Sequence, residues 1–150
     1  VDVTGKEETR RTAVAAGHIR MEPQTLEAFV EGRLEKGEAF AVARLAGIQA
    51  GKRTAEIIPL CHALPGASVT VDITQDPDLP GVQVHAEARY WGRTGVEMEA
   101  LTAVSAALLT LYDMAKAVDR GITIGEIRLV EKRGGRSGSW TRGARSTRRS

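Results

Sequence analysis

The chain has 150 residues, 42% of them hydrophobic and 27% charged, a size and balance that fit one globular domain rather than two. Its formal charge of +2 is unevenly placed: the stretch from Lys132 to Ser150 holds seven basic residues and no acid, which leaves 14 basic against 19 acidic residues in positions 1–131. One cysteine, Cys61, excludes an intrachain disulfide framework and any multi-cysteine metal site, and no run of about 18 apolar residues exists to suggest a membrane span.

The first ten residues are polar and lack the apolar core of a signal peptide, so a soluble, cytoplasmic protein is expected. Val1 is not an ordinary start residue, and a short preceding piece is expected. Residues 11–21 read as a strand. Pro23 suits the first position of a helix whose apolar side is Leu26, Phe29 and Val30 and which Gly32 ends. A second helical pattern runs from Gly37 to about Ile57, with Phe40, Ala43, Leu45, Ile48 and Ala55 as buried candidates; Pro59 ends it, and IPLCHALPG makes a tight loop. ASVTVDITQ then alternates, with Val69, Val71 and Ile73 on one face, and after the turn DPDLPG the run VQVHAEARYW alternates again. The two pair as an antiparallel hairpin.

GRTGVEMEALTAVSAALLTLYDMAK carries the longest helical pattern. Ala100, Ala103, Val104, Ala107, Leu108 and Leu111 recur at spacings of three and four, one apolar face. Thr94 and Glu97 read as a T-x-x-E capping box. Charges stand at both ends of this mostly apolar helix: Glu97 and Glu99 first, Asp113 and Lys116 last. Buried charge is costly unless paired or used. Gly121 then stops the helix and ITIGEIRLVE is a last strand. The order predicts an α+β, ferredoxin-like β-α-β-β-α-β sandwich, a four-stranded antiparallel sheet with helices on one face, over residues 1–138. Residues 139–150 are expected to be a basic, disordered tail.

The chemistry-bearing residues each have a plain structural reading. GIQAGKRT echoes a phosphate loop, but only three residues separate Gly47 from Gly51, and Arg53 follows Lys52. His62 is a candidate acid or base beside Cys61, which reads as a small core residue; adjacent residues make a poor pair of metal ligands. Glu97 serves either as capping acid or as a functional group, and Glu99 is left undecided. Asp113 and Lys116, three apart, pair on a helix surface. Lys132, Arg133 and Arg136 lie among glycines, as a basic loop able to wrap phosphates or as a solvated tail. Fourteen residues put Glu99 and Asp113 roughly 21 Å apart along an unbroken helix and nearly on one face. A long, multiply charged ligand or a site shared between subunits could use both.

Three stretches, LEKGEAFAVARLAGIQAGKRTAEIIPLCHALP, GRTGVEMEALTAVSAALLTLYDMAKAVD and IRLVEKRGGRSG, together closely resemble the cyclic pyranopterin monophosphate synthase family of molybdenum cofactor (molybdopterin) biosynthesis. The resemblance spans nearly the whole chain to about Gly138. It implies a phosphorus–oxygen lyase, assembled as a homohexamer (a trimer of dimers) with sites between subunits. Such an enzyme converts (8S)-3′,8-cyclo-7,8-dihydroguanosine 5′-triphosphate to cyclic pyranopterin monophosphate and releases diphosphate. No redox cofactor and no metal are expected, although a divalent cation with the phosphates is left open.

By position, the resemblance makes Asp113 the catalytic acid/base with Lys116 beside it, and adds Lys36 and His62 to the catalytic set. It places Leu60, Cys61, His62, Met98, Glu99, Glu97, Lys132, Lys52 and Arg11 against substrate, with Asp2 on a further polar family position. Departures are Ala63, Gly51, Glu38, Arg133 and Arg136, where the family pattern has proline, alanine, aspartate, serine and lysine. Two rivals are weighed. A ferredoxin-like RNA-binding module with a basic tail needs aromatic residues on its sheet, and the chain has six aromatics in all. A purely structural oligomer leaves His62, Glu99, Asp113 and Lys116 unexplained.

Overall fold

The computed structural model describes residues 5, 8–33, 38–136 and 138–143. Lys36 and Asp2 lie outside them, as do residues 144–150. Period-two alternation produces four long strands: β1 (Thr9–Arg20), β2 (Ser68–Asp76), β3 (Gly81–Gly92) and β4 (Thr123–Arg133). Their spatial order is β2-β3-β1-β4, every neighbouring pair antiparallel, which is the ferredoxin-like arrangement. A fifth strand, β5 (Trp140–Thr141), joins the β4 edge, so the sheet has five strands rather than the four expected. The segment expected to be a disordered tail thus contributes a short strand where it is described.

The helices are α1 (Pro23–Glu31), α2 (Ala39–Lys52), the single turn α3 (Thr54–Ile57) and α4 (Glu97–Ala115). The expected helix through Ile57 is interrupted at Arg53, whose φ of −110° and ψ of 20° leave helical geometry. The core lies between the sheet and the helices. Val69, Val71, Val82, Val84, Ala86 and Ala88 come from the strands, and the six apolar positions expected on α4 are each fully buried. By length and composition α4 could cross a membrane; here it is the central core helix, packed on β1 and α2.

α2 packs differently from expectation. Its buried stripe is Ala39, Ala43, Gly47 and Gly51, while Leu45 is exposed. A Cβ on Gly47 would stand 2.9 Å from the Ala103 carbonyl oxygen, and one on Gly51 3.1 Å from that of Glu99. The two helices therefore run antiparallel with backbones nearly touching, and only small residues fit the seam. On α1, Leu26 and Phe29 are buried but Val30 is exposed.

One carboxylate ties the helical layer together. Asp119 is buried just after α4; its Oδ2 accepts from the Glu22 N–H and the Thr25 hydroxyl, both at 2.9 Å, and its Oδ1 from the Gly121 N–H at 3.0 Å. It satisfies the backbone N–H of Glu22, the residue preceding α1, whose own side chain makes no cap.

Candidate active site

The capping box is not formed. α4 begins at Glu97 itself, with Val96 preceding it and no side-chain cap. The Glu97 carboxylate lies in the space left by the missing side chain of Gly95. There it receives the Lys132 ammonium at 2.9 Å, with both side chains about 30% exposed. A partner 35 residues away, on the last long strand, has displaced the local one. Burial raises the Glu97 carboxyl, but hydrogen bonds from Lys132 and its own backbone N–H, with the charges of Lys132 and Arg11, hold it below the ordinary glutamate value.

Arg11, near the start of β1, is only 6% exposed. Its Nε donates to the Gly92 carbonyl at 3.2 Å, and its guanidinium lies where a side chain on Gly135 would have to be. Gly135, Gly134 and Gly138 all have left-handed backbone, with φ of 87°, 92° and 72°. The glycine turn after Lys132 therefore sits down on the first residues of β1. Arg11 and the Glu97–Lys132 pair together link that turn to the segment entering α4.

Glu99, one residue beyond Met98, is 4% exposed. Burial raises its carboxyl; its own backbone N–H opposes this and the Glu97 charge adds to it, for a net rise above the ordinary value. The Cys61 thiol is also pushed up, by burial and then by the Glu99 charge. The turn α3, just before the LCH loop, packs on α4. Leu60 is 84% exposed and holds φ of 64°, a left-handed backbone that a leucine rarely adopts. His62 lines an open cavity of about 280 Å³ with Glu8, Tyr90, Arg93 and Thr94. Sequence reasoning singled out none of these four in a functional role; the only signal was that Arg93 and Thr94 lie within the motif beginning GRTGVEME.

Lys52 is exposed at the end of α2, next to Gly51, which meets the Glu99 backbone. Arg11, Glu97, Met98, Glu99 and Lys132 thus lie at or near the start of α4, with Lys52 one residue past the Gly51 contact and Leu60 and His62 flanking Cys61 in the loop. Asp113 and Lys116 stand at the other end, roughly 21 Å along the helix. The Lys116 ammonium donates to Asp113 Oδ1 at 2.6 Å, with the side chains 58% and 47% exposed. Because α2 runs antiparallel to α4, Glu38, which precedes α2, lies toward this second end. Among the described residues no group of three or more His, Cys, Asp or Glu is gathered to hold a metal.

The charged residues thus fall into two groups, one of mixed sign where α4 starts and a carboxylate–ammonium pair where it ends. The sequence model of the MoaC family matches residues 1–135. The cyclic pyranopterin monophosphate synthases of Brucella ovis and Brucella abortus (strain 2308) are each 59% identical to this chain over 140 residues, which is 93% of it and 85% of theirs. That of Brucella suis biovar 1 is 58% identical over the same shares. With the fold, the motif positions and this similarity in agreement along nearly its full length, the chain belongs to the MoaC family.

Proposed function

We propose that the protein is a cyclic pyranopterin monophosphate synthase acting in molybdenum cofactor biosynthesis, and that its substrate is the cyclised guanosine triphosphate. The observation that carries this is the 59% identity to synthases over 93% of the chain. A triphosphate brings about four negative charges, and Arg11, Lys52 and Lys132 stand near one end of α4 to meet them. Lys132 exchanges its contact with Glu97 for one with phosphate, so the cation is held ready without a bound ligand. Diphosphate is a leaving group whose growing charge needs fixed positive partners, a task for Lys132 and the glycine turn.

Rearranging the purine-derived ring requires repeated proton transfers. Asp113 and Lys116 are in direct contact and partly exposed, the placement of a donor–acceptor pair open to a ligand. Lys36 joins them in this reading by its position in the family motif, two residues before Glu38 in the sequence. His62, at the mouth of its cavity, serves as a further acid or base. The roughly 21 Å between the clusters fits sites completed by a neighbouring subunit; the homohexamer, a trimer of dimers, is what the family resemblance implies. Exposed Val42, Leu45, Leu109 and Ile127 offer apolar surface for such contacts. The reaction is a phosphorus–oxygen lyase reaction in the cytoplasm, with neither redox cofactor nor metal assigned a step.

The test is conversion of the cyclised nucleotide by the purified full chain, read as diphosphate release together with the pterin product. Lys116→Ala is expected to lower turnover by about a thousandfold. Near-wild-type turnover would remove Lys116 from the proton-transfer pair, and no conversion by the wild type would overturn the function. An RNA-binding role has little support: on the open sheet face β3 offers one exposed aromatic, Trp91, and β1, β2 and β4 contain none.

A further inference from the structure

Lys132 is held on one side by Glu97, and the geometry of the chain beyond it shows a second hold. After the glycine turn the backbone returns to the β4 edge, pairing Trp140 with Lys132 and Thr141 with Glu131. A two-residue pairing is marginal by itself. Arg142 reinforces it: its N–H donates to the Val130 carbonyl and its Nε to the Leu129 carbonyl, each at 2.8 Å. Its guanidinium carbon lies 5.3 Å from the centre of the Trp140 ring, within cation–π range. Inside the closed turn, the Gly138 N–H donates to the Gly135 carbonyl at 3.2 Å. On its lower side Gly134 rests on the Arg10 backbone and Gly135 on the Arg11 guanidinium.

We propose that Trp140 and Arg142 form a positioning clasp, which fixes Lys132 and the Gly134–Gly135 turn in the conformation that receives the phosphates of a nucleotide substrate. The clasp lies just beyond residue 135, where the match to the family model ends. The physical reasoning is entropic. Three glycines in left-handed backbone make a turn that is free to take many shapes when its ends are loose. Pinning the far end at Trp140 removes that freedom before the ligand arrives, so the cost of ordering is not subtracted from binding. Trp140 and Arg142 touch no reacting atom in this scheme and act through Lys132. The inference rests on the proposed nucleotide substrate for its kinetic readout, but not for its structural one.

The test compares the full-length protein with a chain ending at Ser139, with Trp140→Ala, with Arg142→Ala and with Trp140→Phe, which keeps a ring for Arg142. Backbone amide exchange at Gly134–Arg136 is expected to speed up about tenfold in the first three variants. The KM for the cyclised nucleotide is expected to rise about fivefold while kcat moves by less than about twofold. Trp140→Phe is expected to restore most of both. Asp119→Ala, which loosens the fold near the other end of α4, separates general destabilisation from release of the turn. Wild-type exchange in the truncated chain would overturn the clasp, as would faster exchange with an unchanged KM, or a lowered melting temperature with the turn still protected. Should the wild type convert no cyclised nucleotide, the proposed function fails, and the exchange measurement still decides whether the clasp orders the turn.

Discussion

Lys132 Nζ and Glu97 Oε2 meet at 2.9 Å across the gap between the last long strand and the first turn of α4. This half-buried contact joins the glycine turn to the start of α4. Glu97→Gln keeps the shape and removes the charge, and is expected to cost roughly 1 kcal/mol at pH 7. The Glu97 carboxyl lies below its ordinary value in the folded chain. Its stabilisation is therefore complete above the unfolded value and disappears as pH falls through the folded one. Urea midpoints of wild type and variant should differ at pH 7 and converge in acid.

Glu99 has the opposite sign. Its folded carboxyl is raised, chiefly by burial, so stability declines as pH climbs from the unfolded value through the folded one. At neutral pH the buried charge is a burden that Glu99→Gln removes. The variant is expected to melt about 2 °C higher and to lose at least about tenfold in kcat/KM. Equal activity would make Glu99 a structural acid only.

Asp119→Ala leaves the Glu22 and Gly121 N–H groups and the Thr25 hydroxyl without their shared acceptor. A loss of roughly 3 kcal/mol is expected. Burial raises the Asp119 carboxyl, but those three bonds outweigh it and the net value is lowered. The contribution is thus present above the unfolded value and lost as pH falls through the folded one. Denaturation curves at neutral and acid pH should show the difference shrink.

Gly47→Ala gains helix propensity by about 1 kcal/mol and loses more. Its Cβ would stand 2.9 Å from the Ala103 carbonyl oxygen and 3.0 Å from Val71 Cγ2. With overpacking costs of about 1–3 kcal/mol, a net destabilisation of about 1 kcal/mol is expected. Higher stability by calorimetry would mean that α2 and α4 can part without cost.

The fold was legible wherever a repeating pattern met a matching partner. The alternation of β2 and β3 and the apolar face of α4 were each sufficient to place their buried side chains. Errors arose where a distant group overrode a local signal. Glu97 read as either a capping acid or a functional group, the first because Thr94 stands three residues before it, while its partner Lys132 is invisible to any short window. Leu45 read as core because it is large and apolar; the closeness of α2 to α4 favours glycine and alanine instead. β5 is two residues long and exists only by virtue of the edge it meets. Asp119 carries no local signal, because its partners Glu22 and Thr25 lie more than ninety residues away in the sequence. The candidate site was legible through the joint order of motifs, not through propensity, and the contact between Glu97 and Lys132 came only with three dimensions.

The seam of Gly47 and Gly51 bears on how the chain reaches its fold. Each glycine inside a helix costs about 1 kcal/mol relative to alanine, and α2 holds both within its 14 residues. A segment of that length with two such weak points does not persist alone in water. α2 therefore acquires its shape when it docks, and its docking surface is the backbone of α4, which the chain supplies some fifty residues later. On a ribosome the first third of this protein has no template for its second helix. α2 settles only once α4 has been made, just as β1 waits for β3 and β4 to flank it.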